Sequence, residues 1–165
     1  MKSPVGELTL VASPKGLAAV LWEKEKKGRV KIRPEKESKN DPMLLKAEKQ
    51  LKEYFAGTRT KFALALDFQG TEFQKKVWKA LLSIPFGKTA SYGEIAKKIG
   101  LPKSSRAVGA ANSRNPISLF APCHRVVGTS GTLTGYAGGI GAKATLLALE
   151  GCDIKGKATS KTKIR

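Results

Sequence analysis

Two helix-start signals set the architecture of the middle of this chain. Thr71-Glu72-Phe73-Gln74 and Ser91-Tyr92-Gly93-Glu94 each place a hydroxyl residue three positions before a Gln or Glu. In that capping-box pattern the side chain and backbone satisfy each other's free N–H groups at a helix start. The first predicts a helix with Phe73, Val77, Ala80 and Leu81 on one face, ending before Pro85-Phe86-Gly87-Lys88. The second predicts a helix running to Ile99, with Gly100 as its stop. After Leu101-Pro102-Lys103, Ser104 or Ser105 caps a third helix over residues 106–113. Two short helices joined by a tight glycine-containing turn form a helix-turn-helix pattern, which ordinary helical hairpins share. The second of the pair opens on Arg106 and carries the small residues Ala107, Gly109, Ala110 and Ala111. So thin a helix suits close approach to a backbone or a narrow groove, and not base readout in a major groove.

Next comes Asn115-Pro116-Ile117-Ser118-Leu119-Phe120-Ala121-Pro122-Cys123-His124-Arg125-Val126-Val127-Gly128, which holds the single histidine and one of two cysteines. Pro122 restricts its neighbour and removes a backbone donor, so the thiol is presented from a rigid turn. A thiol beside an imidazole and a guanidinium sits in an electropositive setting that favours the thiolate. A lone cysteine is also commonly a small buried hydrophobe, and adjacent side chains on extended chain point to opposite faces. Residues 125–127 read as a short strand. Thr134-Gly135-Tyr136-Ala137-Gly138-Gly139 reads as a glycine-rich loop whose backbone can approach a ligand closely. It lacks the lysine-serine pattern of a nucleotide cradle. A last helix over 141–150 stops at Gly151, and residues 153–165 form a lysine-rich tail that reads as disordered.

The first part of the chain is simpler. Residues 7–13 and 17–22 read as a hairpin around Pro14-Lys15-Gly16. The alternating residues 29–33 suggest a third strand. Residues 43–56 form an amphipathic helix stopped by Gly57, and 61–68 alternate as another strand. With no histidine or cysteine, residues 1–68 are expected to be an α/β scaffold. Residues 69–152 hold the site, and 153–165 are the tail. The net charge is +18, from 31 Lys and Arg against 13 Asp and Glu. Such an excess is what a phosphate backbone rewards through counterion release. No apolar run reaches membrane-spanning length, no signal-peptide core opens the chain, and two distant cysteines point to a reducing cytoplasm.

Residues 69–151 resemble the O6-alkylguanine-DNA alkyltransferase family. The matching pieces are Phe73-Gln74 with Val77-Trp78, Gly87-Lys88-Thr89 with Ser91-Tyr92, Arg106-Ala107-Val108-Gly109, Asn115-Pro116, Pro122-Cys123-His124-Arg125-Val126-Val127, Tyr136 with Gly138-Gly139, and the stretch from Leu147 to Gly151. They stand in family order and spacing. The N-terminal module matches in outline. The resemblance implies a ribonuclease-H-like α/β module followed by a mainly α domain with a helix-turn-helix. It implies a monomer acting without cofactor on double-stranded DNA containing O6-alkylguanine, and on O4-alkylthymine as well.

By the same resemblance Cys123 is the alkyl acceptor. His124, acting through a water, is its general base; Glu150 orients His124; Tyr92 gives a hydrogen bond or proton to the leaving guanine; Asn115 holds the turn. Ser91, Arg106, Ala107 and Gly109 contact DNA, with Arg106 filling the stack vacated by a flipped base. Val126, Tyr136, Ala137 and Ser118 line the lesion pocket, where the small Ser118 leaves room for larger alkyl groups. Cys152 has no implied role. The structural zinc of some members needs ligands that the chain lacks before Cys123. Three other readings compete: a non-catalytic lesion-binding protein, a helix-turn-helix regulator, and a cysteine hydrolase.

Overall fold

The structure, a computed structural model, describes residues 1–152; the expected tail at 153–165 lies outside them. Strands β1 (Leu8–Ser13) and β2 (Gly16–Trp22) pair antiparallel, with Ser13 opposite Gly16 at the turn. All seven residues of β2 are buried, which is why the strand reads as an apolar run and not as an alternation. Gly16 is required here. Its φ is +150°, and an added Cβ would lie 2.5 Å from the Ala65 carbonyl oxygen. Gly16→Ala is expected to cost about 3 kcal/mol, read as a lower urea midpoint at unchanged m-value.

The other edge of β2 is shared. Leu17 bridges Leu66 in parallel and Val20 bridges Ile117, with Val20 N–H donating to the Pro116 carbonyl at 2.8 Å. The strand expected over 61–68 is therefore a single bridge. At Ala63 the buried Gln50 side chain takes the partner strand's place, donating to the Ala63 carbonyl at 3.0 Å and accepting its N–H at 2.8 Å. Residues 29–33 form no strand either. Val30 packs with Val11, Ala19 and Leu21, but the guanidinium of Arg29 is held by Glu25 and by the Asn115 carbonyl at 2.8 Å.

Helix α1 (Pro42–Phe55) is capped by the Asp41 side chain, with proline in its first turn. Both capping boxes form at the starts of α2 (Glu72–Leu81) and α3 (Tyr92–Lys98). Helix α4 (Ser105–Ser113) starts at Ser104, whose side chain makes no capping bond. The Trp78 indole ties α2 to α4 by donating to the Ala111 carbonyl at 2.8 Å. Strand β3 (Ala90–Ser91) pairs in parallel with β4 (Val126–Val127), and α5 (Ile140–Leu149) closes the described chain. Arg125 lies outside β4, in one turn of 3-10 helix (Cys123–Arg125). Ile117, Leu119, Phe120 and Leu146 sit in one core with Leu17, Val20, Leu51 and Tyr54, so the N-terminal scaffold buttresses the cysteine turn directly. Among the described residues no helix is long and apolar enough to cross a membrane.

Candidate active site

The cysteine turn is built on Asn115. Fully buried, its side chain accepts the Ile117 N–H at 3.0 Å and donates to the Ala121 carbonyl at 2.8 Å. Between these anchors Leu119 has φ +76°, a conformation that costs a bulky side chain about 1–2 kcal/mol. The burial of Leu119 and Phe120 in the shared core compensates. Cys123 leaves this turn 2% exposed, packed against Val77, Val108, Ala111 and Val126.

The thiol is not in the electropositive setting expected from its neighbours. Burial pushes its pKa up, and that outweighs the opposing effects of Asn115, Lys143, Arg29 and Ser118. His124 and Arg125 turn away from it to a shared partner, Glu150, at the C-terminal end of α5. His124 Nε2 lies 2.7 Å from Glu150 Oε2. Arg125 Nε and Nη2 donate to Oε1 and Oε2 at 2.8 and 3.1 Å, and its Nη1 donates to the Ile84 carbonyl at 2.6 Å. Tyr54 OH donates to Oε2 at 2.6 Å and the Gly87 N–H to Oε1 at 3.2 Å.

Burial raises the Glu150 pKa, but the hydrogen bonds from His124 and Arg125 outweigh it and hold the group at about 2. An ionised carboxylate only accepts, so His124 Nε2 carries the proton. Burial lowers the His124 pKa against the opposing pull of Glu150. The ring is therefore neutral, with the lone pair on Nδ1. That atom is buried and, among the described residues, has no hydrogen-bond partner. A neutral imidazole with an open acceptor, one residue on from a buried thiol and not bonded to it, can take the thiol proton through a bridging water.

The remaining expected residues fall around this centre. Tyr92, at the start of α3, places its hydroxyl 2.5 Å from Thr134 Oγ1, and Gly109 of α4 packs over its ring. Val126 is buried, and its carbonyl accepts from Lys143 Nζ at 2.6 Å. The Tyr136 hydroxyl is buried without a partner among the described residues, and its ring meets Trp22 and His124 edge to face. Ser118 is fully buried and accepts from the Trp22 indole at 3.2 Å. Ala137, Ser91 and Gly109 are half-buried, while Arg106, Ala107 and Ala110 form the exposed face of α4. In the glycine-rich loop the close approach is to protein: a Cβ on Gly138 would lie 2.5 Å from the Trp22 ring.

Sequence reasoning missed Tyr54, Gly87, Trp22, Arg29, Thr134 and Lys143, and gave Arg125 the wrong partner. Tyr54 falls within the amphipathic helix read over residues 43–56, where an aromatic passes for one more apolar residue. Lys143 did leave a signal, as the lone charged residue in the ten of α5.

Both halves of the chain match known families. Residues 1–68 match the ribonuclease-like domain of 6-O-methylguanine DNA methyltransferase, and residues 72–152 match its DNA binding domain. A methylated-DNA–protein-cysteine methyltransferase of Methanosarcina acetivorans is 50% identical over 150 residues, covering 91% of this chain and 95% of the relative. One from Mycobacterium leprae is 62% identical over 104 residues, 63% of each chain. Among solved structures, Mycobacterium tuberculosis OGT in complex with DNA superposes with a TM-score of 0.79 at 49% identity, covering 91% of this chain and 89% of that one. An O6-methylguanine DNA methyltransferase from Methanococcus jannaschii gives 0.64 at 32% identity, covering 96% and 95%. With a ribonuclease-like domain leading into a DNA-binding domain that carries the buried cysteine, the chain belongs to the 6-O-methylguanine DNA methyltransferase family.

Proposed function

We propose that this protein repairs DNA by moving the alkyl group of O6-alkylguanine, and of O4-alkylthymine, irreversibly onto Cys123, once per molecule. The observation that carries this reading is that Cys123 is buried and that the residue after it, His124, has its Nε2–H committed to Glu150 and its Nδ1 open. His124 takes the thiol proton through a water, and Glu150 offsets the charge that develops on the ring. The sulfur attacks the alkyl carbon in line. The sulfur–carbon bond forms, the carbon–O6 bond breaks, and the electron pair stays with guanine, whose ring edge takes a proton from Tyr92.

The target carbon is out of reach inside a duplex, so the base is flipped. Helices α3 and α4 act as the helix-turn-helix, with Ala107 and Gly109 against the minor groove, Ser91 on the backbone and Arg106 in the vacated stack. Val126, Tyr136, Ala137 and Ser118 line the pocket. The protein works as a monomer and takes no cofactor. A thioether has no built-in release step, so the protein is consumed.

The raised thiol pKa favours a second reading, a protein that binds the lesion without reacting. Mass spectrometry after mixing the protein with excess O6-methylguanine duplex separates the two. One methyl per molecule on the Cys123 peptide, with repair ending at one equivalent, is expected. Tight binding with no mass change would overturn the transfer reading, and repeated turnover would make the protein a hydrolase.

A further inference from the structure

Lys143 is the unusual residue of α5, a fully buried lysine without a carboxylate partner among the described residues. Its Nζ donates to the Val126 carbonyl at 2.6 Å and reaches Thr134 Oγ1 at 3.3 Å and the Thr134 carbonyl at 3.4 Å. The same Thr134 hydroxyl lies 2.5 Å from Tyr92 OH. A hydroxyl accepts from one neighbour while donating to another. The three groups can therefore align in one direction: ammonium to threonine, threonine to tyrosine, tyrosine outward. Among the hydrogen bonds of the described residues, Lys143 reaches Tyr92 only through Thr134.

Resting on the transfer reading above, we propose that Thr134 is a positioning residue that couples Lys143 to Tyr92, so that the proton given to the departing guanine is replaced from Lys143. Tyr92 passes its proton to the guanine ring edge, Thr134 passes its own to the Tyr92 oxygen, and Lys143 passes one to Thr134 and ends as a neutral amine. The thiol proton is already on His124, so no other acid or base is needed.

Two features of Lys143 support this. Burial lowers its pKa to about 8, which makes it a far better proton donor than an exposed lysine. The negative charge of Cys123 opposes that shift, and alkylation converts a thiolate to a neutral thioether. The charge that helps hold the proton on Lys143 therefore disappears as guanine leaves. Without the link, a Tyr92 phenolate would remain in a site whose burial disfavours it.

The test compares two methyl donors that differ in whether the leaving group needs a proton. O6-methylguanine in a duplex does; iodomethane, which releases iodide, does not. Single-turnover methylation of the Cys123 peptide is followed by mass spectrometry in the wild type, Thr134→Val and Thr134→Ser. Thr134→Val is expected to slow transfer from the duplex about 10- to 100-fold and to leave the iodomethane rate within about twofold. Thr134→Ser restores the duplex rate. Equal slowing with both donors would mean that Thr134 merely shapes the thiol site, and no slowing with either would mean that it is idle; both overturn the relay. A wild type that reacts with iodomethane but never with the duplex would overturn the transfer reading first, and the relay with it.

Discussion

Glu150→Ala is expected to lower the unfolding free energy by about 3–5 kcal/mol, the cost of stranding a buried cation whose partner has been removed. Five donors converge on that carboxylate, from Tyr54, Gly87, His124 and twice from Arg125. Alanine leaves them all without an acceptor, in a place where water cannot readily substitute. Urea unfolding followed by the fluorescence of Trp22 and Trp78 reads the loss. Glu150→Gln keeps the size and one acceptor, removes the charge, and so falls between wild type and alanine.

The pH dependence has a definite sign. The Glu150 carboxyl is held at about 2 when folded, against 4.5 ordinarily, so the unfolded chain binds its proton more readily. The stabilisation is complete above pH 4.5 and fades as pH falls toward 2, amounting to about 3 kcal/mol. His124, lowered from 6.5 by its burial, adds a loss in the same direction that begins as pH falls through 6.5. Wild-type stability that stayed flat from pH 5 to pH 2.5, or an alanine variant as stable as wild type at pH 7, would rule out this account of Glu150.

Residues whose structure is decided locally were legible in the sequence. The capping boxes at Thr71 and Ser91, the hairpin at Gly16 and the stop at Gly100 are each settled by a few neighbouring groups, and each forms as read. Of the residues expected at the site, the structure brings His124 to Glu150 and builds the cysteine turn on Asn115, an arrangement readable from the order of the motif along the chain. What escaped is carried by contacts between residues far apart in the chain. Tyr54 meets Glu150 across 96 positions and Arg29 meets Asn115 across 86, and neither leaves a mark in its own neighbourhood.

The strand misread over 61–68 has a related cause. Its alternation is genuine, and Phe62, Leu64, Leu66 and Phe68 all pack on the core. Yet one side-chain amide, from Gln50, stands where a strand would have paired. The electropositive setting read for the thiol fails because its sequence neighbours are drawn to another group. His124 and Arg125 are the nearest charges in sequence, but they belong to Glu150, while the cation opposing the thiol's burial from α5 is Lys143, twenty residues downstream.

Cys123→Ala is expected to abolish methyl transfer outright while leaving lesion-containing duplex bound. The groups assigned to holding DNA, on α4 and around Tyr136, do not depend on the sulfur, and nothing else in the pocket is a nucleophile of comparable strength. Folding should survive the change. The side chain is small, the cluster of Val77, Val108, Ala111 and Val126 around it is otherwise intact, and the loss should be about 1 kcal/mol. Because the variant cannot be consumed, its complex with an O6-methylguanine duplex persists, and its affinity at fixed salt can be compared with that for undamaged duplex. Cys152 provides the internal control. It is half-exposed beside the Leu133 and Leu147 cluster, it too has a raised pKa, and it should carry no methyl in wild type or variant. A methyl on the Cys152 peptide of Cys123→Ala would mean that the acceptor had been misassigned. An equal affinity for damaged and undamaged duplex would mean that the pocket around Tyr136 does not hold the lesion, and that recognition resides in the sulfur's reactivity alone.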